Sequence, residues 1–367
     1  MHLRPEKYLR YLVPTSLFGT ARTKEILTSN PVTEINRQDA ENVHITVHDY
    51  DAGSLQEHVL KNVSESFHLR DSSRVTWINI DGLRKSDVER ISEHYGIHAL
   101  ITEDILSLSQ RPKMDEVEDI LYCLLNMLYY NEKDQTVEQE QISIVLGKNF
   151  VITFHEDPTR DVFNPIREKL KITNTKLRQR GADYLCYTML DLIVDNYFLV
   201  MEKLGDCIET VEEDVVRKSN TRSLARINQF RKELIVLKRN IAPVRDLVAA
   251  IIRSESDLLE ERTTKYFKDV HDHIIQAYDL SENYRDMMVG LQDLYINNVN
   301  LRMNEVMKVL AIVTCVLAPA TVIGGIFGMN FDHMPELEWL WGYPLSLALM
   351  LASAILPLWY LRSKGWI

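Results

Sequence analysis

The apolar pattern changes character along the 367 residues. Up to about residue 157, short runs rich in β-branched and aromatic residues predict strands: VHITVHDY (43–50), RVTWINI (74–80), ILYCLLNMLYY (120–130), QISIVLG (141–147) and NFVITFHE (149–156). Gly147-Lys148-Asn149 separates the last two as a hairpin turn. SDVERISEHYG (86–96) has the period of a helix, with Ser86 placed to cap its start and Gly96 to end it. Residues 1–160 are therefore expected to form an α/β/α layered domain, with helices on both faces of a sheet. From residue 161 the strand signal stops. Segments 183–217, 221–252 and 256–327 carry apolar residues at spacings of three and four, which predicts long helices. Between Pro243 and Pro319 there is no proline, and Gly290 is the only glycine. Residues 161–255 then form a long-helix region, and 256–327 is one helix roughly 100 Å long at ~1.5 Å per residue. Its own domain cannot cover such a helix, so its natural cover is further copies of itself.

Two stretches are apolar on every face. VLAIVTCVLAPATVIGGIF (309–327) and YPLSLALMLASAILPLWYL (343–361) each run 19 residues without a charge. At ~1.5 Å per residue each reaches about 28 Å, close to the ~30 Å hydrocarbon core of a bilayer. Paired in a soluble core they would leave large apolar faces uncovered, so both are read as membrane spans. Arg302 and Lys308 precede the first, and Arg362 and Lys364 follow the second. The loop 328–342 between them holds Asp332, Glu336 and Glu338 with no lysine or arginine. Basic residues stay on the cytoplasmic side, which predicts a multi-pass protein of the cell membrane with both termini in the cytoplasm. The loop 328–342 is then external, and 362–367 is a short cytoplasmic tail. Trp339, Trp341 and Tyr343 at one interface, and Trp359, Tyr360 and Trp366 at the other, form aromatic belts.

Composition adjusts this picture in a few places. A mean hydropathy of −0.18 averages a water-exposed body with a membrane tail. Acidic residues outnumber basic ones by 53 to 42, which excludes a nucleic-acid footprint. Only three acids and two bases lie in 309–367, so the surplus sits in the body, where it attracts cations. Cys123, Cys186, Cys207 and Cys315 form no CxxC pair and no zinc spacing, and are expected to be structural thiols in a reducing compartment. The start, MHLRPEKYLRYLVP, lacks the apolar core of a signal peptide. No P-loop lysine, GxSxG or HExxH occurs, so neither enzyme chemistry nor an organic cofactor is expected.

Candidate chemistry lies on the longest helix. Alternating steps of four and three pass through Asp293, Asn297, Asn300, Asn304, Met307, Ala311, Thr314, Ala318, Thr321 and Gly325. The lower part is acid and amide, and the membrane part is small or hydroxyl-bearing, with Met307 and Leu310 as the apolar interruption. A coiled-coil seam would carry Leu or Ile here. Small polar seams also occur in close membrane-helix contacts. A wet axis is the sharper interpretation: several copies surround a pore, and Leu294, Leu301, Val306, Val309 and Val313 pack between neighbours. No charge lies on the membrane part. Magnesium gives up water reluctantly, so a neutral lining of amides, hydroxyls and carbonyls suits its water shell better than the bare ion.

Gly328-Met329-Asn330 follows the first span directly, with MPEL (334–337) and GYP (342–344) behind it and EVMKVL (305–310) leading in. In this position the tripeptide resembles the signature of the CorA family of magnesium channels, as do TWINI (76–80), EDIL (103–106), QRPK (110–113) and ADYL (182–185). The resemblance implies a homopentamer in the lipid bilayer with a funnel-shaped cytoplasmic assembly and five pore-lining helices. It implies an Asn330 amide ring at the outer mouth, shaped by Gly328 and Met329, and hydrated-ion stations at Thr321 and Gly325. Met307 and Leu310 would form the gate, with Asn304 and Asp293 on the inner path. It also implies magnesium both as transported ion, alongside cobalt or nickel, and as regulator. Carboxylates at subunit interfaces would bind cytosolic magnesium and hold the assembly closed: Asp104 with Asp269, and Glu103 with Asp191 in a second site nearby. Two departures are Phe327, where many relatives carry Tyr, and Ala318, where some carry Met. A zinc transporter of the ZntB type and a membrane-tethered sensor without transport are the alternatives. Met329 argues against the first. His271-Asp272-His273 is not taken as a metal site, since i and i+2 leave opposite sides of a helix. The acidic run 209–214 is taken as a solvated face.

Overall fold

The computed structural model describes residues 39–107, 110–160, 162–217, 220–329 and 339–365. The described residues fall into two compact units, one ending at Asp214 and resuming over Asn220–Leu291, the other comprising Val215–Ser219 and Gln292–Ile367.

The first unit is built on seven strands: β1 (His44–Tyr50), β2 (Leu55–Leu60), β3 (Val75–Asp81), β4 (Lys113–Val117), β5 (Ile120–Asn131), β6 (Thr136–Leu146) and β7 (Phe150–His155). Their order is β2-β1-β3-β7-β6-β5-β4, and only β3 and β7 run parallel. The apolar runs of β5 and β7 are continuous because both faces are covered. On one face Ile78, Ile80, Tyr122, Val145, Ile152 and Phe154 pack with Val88, Ile91 and Tyr95 of α1 (Lys85–Tyr95) and Ile101 and Ile105 of α2 (Ala99–Leu106). Trp77, Asn79 and Thr153 belong to the opposite set of alternating positions. There Trp77 Nε1 donates to Thr153 Oγ1 at 3.0 Å, and Thr153 donates to Asn79 Oδ1 at 2.7 Å, tying the parallel pair together. Four more helices follow the sheet: α3 (Asn164–Lys171), α4 (Lys176–Gln179), α5 (Ala182–Arg217) and α6 (Thr221–Arg253). α5 and α6 both reach the sheet at β5, where the Tyr197 hydroxyl donates to the Asn126 carbonyl at 2.7 Å. Asn126 Nδ2 donates to Asn240 Oδ1 at the same distance.

Two sequence expectations move. Ser86 does not cap α1, which starts one residue earlier after an extended Arg84 that makes no side-chain cap. Asp39 Oδ1 instead accepts the Lys85 N–H at 3.0 Å, so the first turn is satisfied by a distant carboxylate. Gly96 does end the helix, in the left-handed conformation at φ 74° that favours glycine. The long helix begins at Glu261 rather than 256. Asp183 Oδ2 accepts the Glu260 N–H, and the Glu260 carbonyl accepts from Thr263 and Thr264, which fixes the start there.

That helix, α7 (Glu261–Phe327), is 67 residues long, and α8 (Gly342–Ser363) is the last described. α5, α7 and α8 are each long and apolar enough to cross a membrane. In α5 over half of the apolar stretch is buried within the protein, whereas in α7 it is 0% and in α8 6%. Only the last two therefore need lipid or further protein as cover.

Candidate functional site

The stripe on α7 lies in the second unit and is open along its whole length. Asp293, Asn297, Asn300, Asn304, Met307, Leu310, Ala311, Thr314, Ala318, Thr321 and Gly325 are all exposed in the single chain. α8 covers a different side of the same helix. A Cβ placed on Gly324 would meet Met350 Cε at 3.3 Å, while one on Gly325 would meet nothing within 4 Å. The two hydroxyls of the membrane stretch each donate one turn back, Thr314 to the Leu310 carbonyl at 2.8 Å and Thr321 to the Leu317 carbonyl at 2.9 Å. With the proton held by the helix, each oxygen turns only lone pairs outward. A hydrated cation turns hydrogens outward, so such a surface matches its shell. Gly328 and Met329 close α7, with Gly328 N–H donating to the Gly324 carbonyl at 3.0 Å and Met329 N–H to Ile326 at 3.3 Å. Asn330, the loop acids Asp332, Glu336 and Glu338, and Trp366 lie outside the described residues.

The four acids expected to sense the ion lie in the first unit and fall into two neighbourhoods. Glu103 and Asp104 are on α2, the first exposed and the second half-buried. Lys113 of β4 places Nζ 2.6 Å from Asp104 Oδ2 and 2.8 Å from Asp115 Oδ2. Partial burial opposes the ammonium charge, yet these two hydrogen bonds outweigh it and hold Lys113 above the ordinary lysine range. Asp191 of α5 and the exposed Asp269 of α7 interact electrostatically. Burial first, then Asp195 one turn on, push the Asp191 carboxyl above the usual range; Asp269 adds to this and His273 opposes it. Asp191, Asp195 and His273 bring their ligand atoms within 4.8 Å of one another, with His273 Nδ1 3.8 Å from Asp195 Oδ1. The i, i+2 geometry does separate His271 from His273. It carries no information about the carboxylates that a neighbouring helix brings to one of them, so Asp195, His273 and Lys113 were all missed.

A family model described as "CorA-like Mg2+ transporter protein" matches residues 72–363. The chain belongs to the CorA family. It is thus a membrane protein of a transporter family, not an enzyme. Among CorA relatives, the "Cobalt/magnesium transport protein CorA" of Thermotoga maritima is 40% identical over 328 residues, spanning 89% of this chain and 93% of that protein. The complete CorA magnesium transporter structure from Methanocaldococcus jannaschii superposes with a TM-score of 0.73 at 24% identity, over 89% of this chain and 100% of that one. The ZntB cytoplasmic domain from Vibrio parahaemolyticus matches with a TM-score of 0.50 at 17% identity, over 70% and 98%. That likeness shows a shared fold over the matched part of the chain.

Proposed function

We propose that the chain is a divalent-cation channel that admits magnesium, and also cobalt or nickel, as hydrated ions, and that cytosolic magnesium closes it. The observation that carries this is the membrane part of the stripe, acceptor-rich and free of charge, on a stretch of helix whose flanking exposed positions are largely apolar. Leu301, Val306, Val309, Val313 and Leu317 are each 47–61% exposed in one chain. Lipid covers such residues within the bilayer, but Leu301 and Val306 precede the span and call for further copies. The family resemblance supplies the number five. In such an assembly Asp293, Asn297, Asn300 and Asn304 line the inner path, Met307 and Leu310 form an apolar gate, and Ala311, Thr314, Ala318, Thr321 and Gly325 line the membrane part. Gly328, Met329 and Asn330 form the outer mouth. On this reading 1–160 and 161–255 are cytoplasmic, the pore helix runs over Glu261–Phe327 rather than from 256, 328–342 is external, 343–361 is the second span and 362–367 is a cytoplasmic tail. A divalent ion crossing 100 mV gains about 4.6 kcal/mol, so an open path at a cell membrane needs no other energy source.

Closure acts through carboxylates. Glu103, Asp104, Asp191 and Asp269 offer only oxygen donors, the set a hard cation prefers. Opposed across a subunit boundary they repel, and a magnesium ion between them removes the repulsion and joins the subunits. The exposure of Glu103 and Asp269 supports their availability to a neighbour. The relative named for cobalt as well as magnesium supports the wider ion range. Magnesium flux into liposomes, wild type against Asn330→Ala, tests the whole. The channel loses flux and selectivity in the variant, and wild-type flux no greater than that of empty liposomes overturns it.

A further inference from the structure

Asp104 already has a cation of its own. Lys113 Nζ lies 2.6 Å from Asp104 Oδ2 and 2.8 Å from Asp115 Oδ2, so one ammonium is shared by two carboxylates. This differs from the chain's ordinary surface pairs. Lys85 and Glu89, for example, meet at 3.8 Å with side chains 68% and 54% exposed, whereas the Asp104 side chain is 16% exposed. The Asp104 end is also held in place, because Gln141 Nε2 donates to its backbone carbonyl at 3.1 Å. Lys113 opens β4, an edge strand, and α2 carries Asp104. The contact is therefore built by packing two elements rather than by chance along one helix.

A magnesium ion takes a carboxylate oxygen at ~2.1 Å, or engages it through a bound water. Either way it comes close to an ammonium already on the same carboxylate, and the two cations repel. We propose that Lys113 is a tethered counter-ion that sets the magnesium concentration at which the regulatory site fills. It occupies Asp104 when cytosolic magnesium is scarce and retreats to Asp115 when the ion arrives. Asp115 makes the retreat feasible, since the ammonium never has to stand without a carboxylate. The apparent dissociation constant is the intrinsic one divided by the fraction of time Asp104 is free of Lys113. An ammonium resident nine-tenths of the time thus raises the threshold about tenfold, within the usual range of coupling between two ligands. The proposal rests on Asp104 being a regulatory acid, as read above.

The test uses the full-length protein in liposomes, with magnesium uptake measured against graded magnesium on the cytoplasmic side. Lys113→Met keeps the aliphatic stem and drops the charge; it lowers the half-inhibiting concentration about tenfold. Lys113→Arg keeps a cation and stays near wild type. Asp115→Asn leaves the ammonium to Asp104 alone and raises the threshold severalfold. In the Lys113→Met background that rise largely disappears, which distinguishes competition for Asp104 from a simple change in local field. An unchanged or higher threshold in Lys113→Met overturns the proposal, as does an Asp115→Asn effect of full size in the double variant. Failure of the underlying reading looks different: Asp104→Asn is then inhibited like wild type.

Discussion

Gly324 and Gly325 are neighbours on one helix and should respond to the same methyl group in opposite ways. Inside the chain neither objects strongly to Ala. At 324 the new Cβ meets only the flexible end of Met350 at 3.3 Å, and at 325 it meets nothing within 4 Å. Replacing a helical glycine gains about 0.5–1 kcal/mol through backbone entropy, less in a last turn such as this. Neither variant should therefore unfold earlier than wild type. In the proposed assembly of five copies around an axis the outcome at 325 changes. A Cβ stands ~1.5 Å from its Cα, so a ring of five narrows an opening by about 3 Å. A magnesium hexahydrate, with oxygens at ~2.1 Å and a water radius of ~1.4 Å, is about 7 Å across. An opening fitted to it closes to about 4 Å, and the ion must shed water it holds tightly. An added barrier of about 3 kcal/mol lowers flux roughly a hundredfold. Gly325→Ala should thus melt no earlier than wild type in detergent yet conduct about a hundredfold less in liposomes, with Gly324→Ala conducting nearly as wild type. Wild-type flux through Gly325→Ala removes that residue from the ion's path. Equal loss in both variants assigns the pair to helix packing and refutes the axial reasoning.

Four further expectations follow from other parts of the chain. Asp269 is exposed, so Asp269→Lys should fold and should raise the internal magnesium needed for half-closure at least tenfold, read in the same liposome assay; an unchanged value argues against Asp269. Glu140 is 3% exposed, and burial is the main cause that pushes its carboxyl up to about 7. The neutral form is favoured in the fold, so its contribution, about 3 kcal/mol, is complete below pH 4.5 and lost as pH rises toward 7. Melting temperatures of Glu140→Gln minus wild type should therefore increase from pH 5 to pH 8, and a flat difference rejects the assignment. His48 works in the other direction: burial, then Arg167 and Lys171, lower it to about 4, so its share is lost as pH falls from 6.5. Asn240→Leu strands the Asn126 amide that it accepts from at 2.7 Å, and should cost about 2 kcal/mol in thermal or denaturant unfolding.

The central strands were legible because burial on both faces writes itself into the chain as an unbroken apolar run, as in ILYCLLNMLYY. The edge strands were not. β2 (LQEHVL) exposes Gln56, Glu57, His58 and Val59, and β4 reads KMDEV, with no residue fully buried in either. Polar edges protect a sheet from pairing with other chains, and for that reason resemble loops in sequence. Missing β4 had a consequence beyond topology, because it carries the Lys113 that meets Asp104. The start of α1 was misplaced for a related reason. A local serine was read as the cap, while the N–H group is in fact satisfied by Asp39, 46 residues away.

The proposed ion pathway and the proposed sensing acids differ in legibility for a geometric cause. A stripe on one helix is fixed by the 3.6-residue period alone, so the steps from Asp293 to Gly325 could be traced before any tertiary contact was known, and the structure leaves all of those positions exposed. A cation site draws its ligands from several elements. Asp191 and Asp195 share one face of α5 by their i, i+4 spacing, but nothing in that spacing brings His273 of α7 to them. Asp104 on α2 likewise has no sequence relation to Lys113 on β4 that marks them as a pair. The chain contains 53 acidic residues, and for nearly all of them solvation is the correct default. What separates a few is the packing of one element against another, which gives Asp191 a half-buried setting beside a like charge and gives Asp104 a tethered ammonium. Spacing within an element limits which side chains it can present together. Which cation those side chains meet, and at what concentration, depends on the element packed against them.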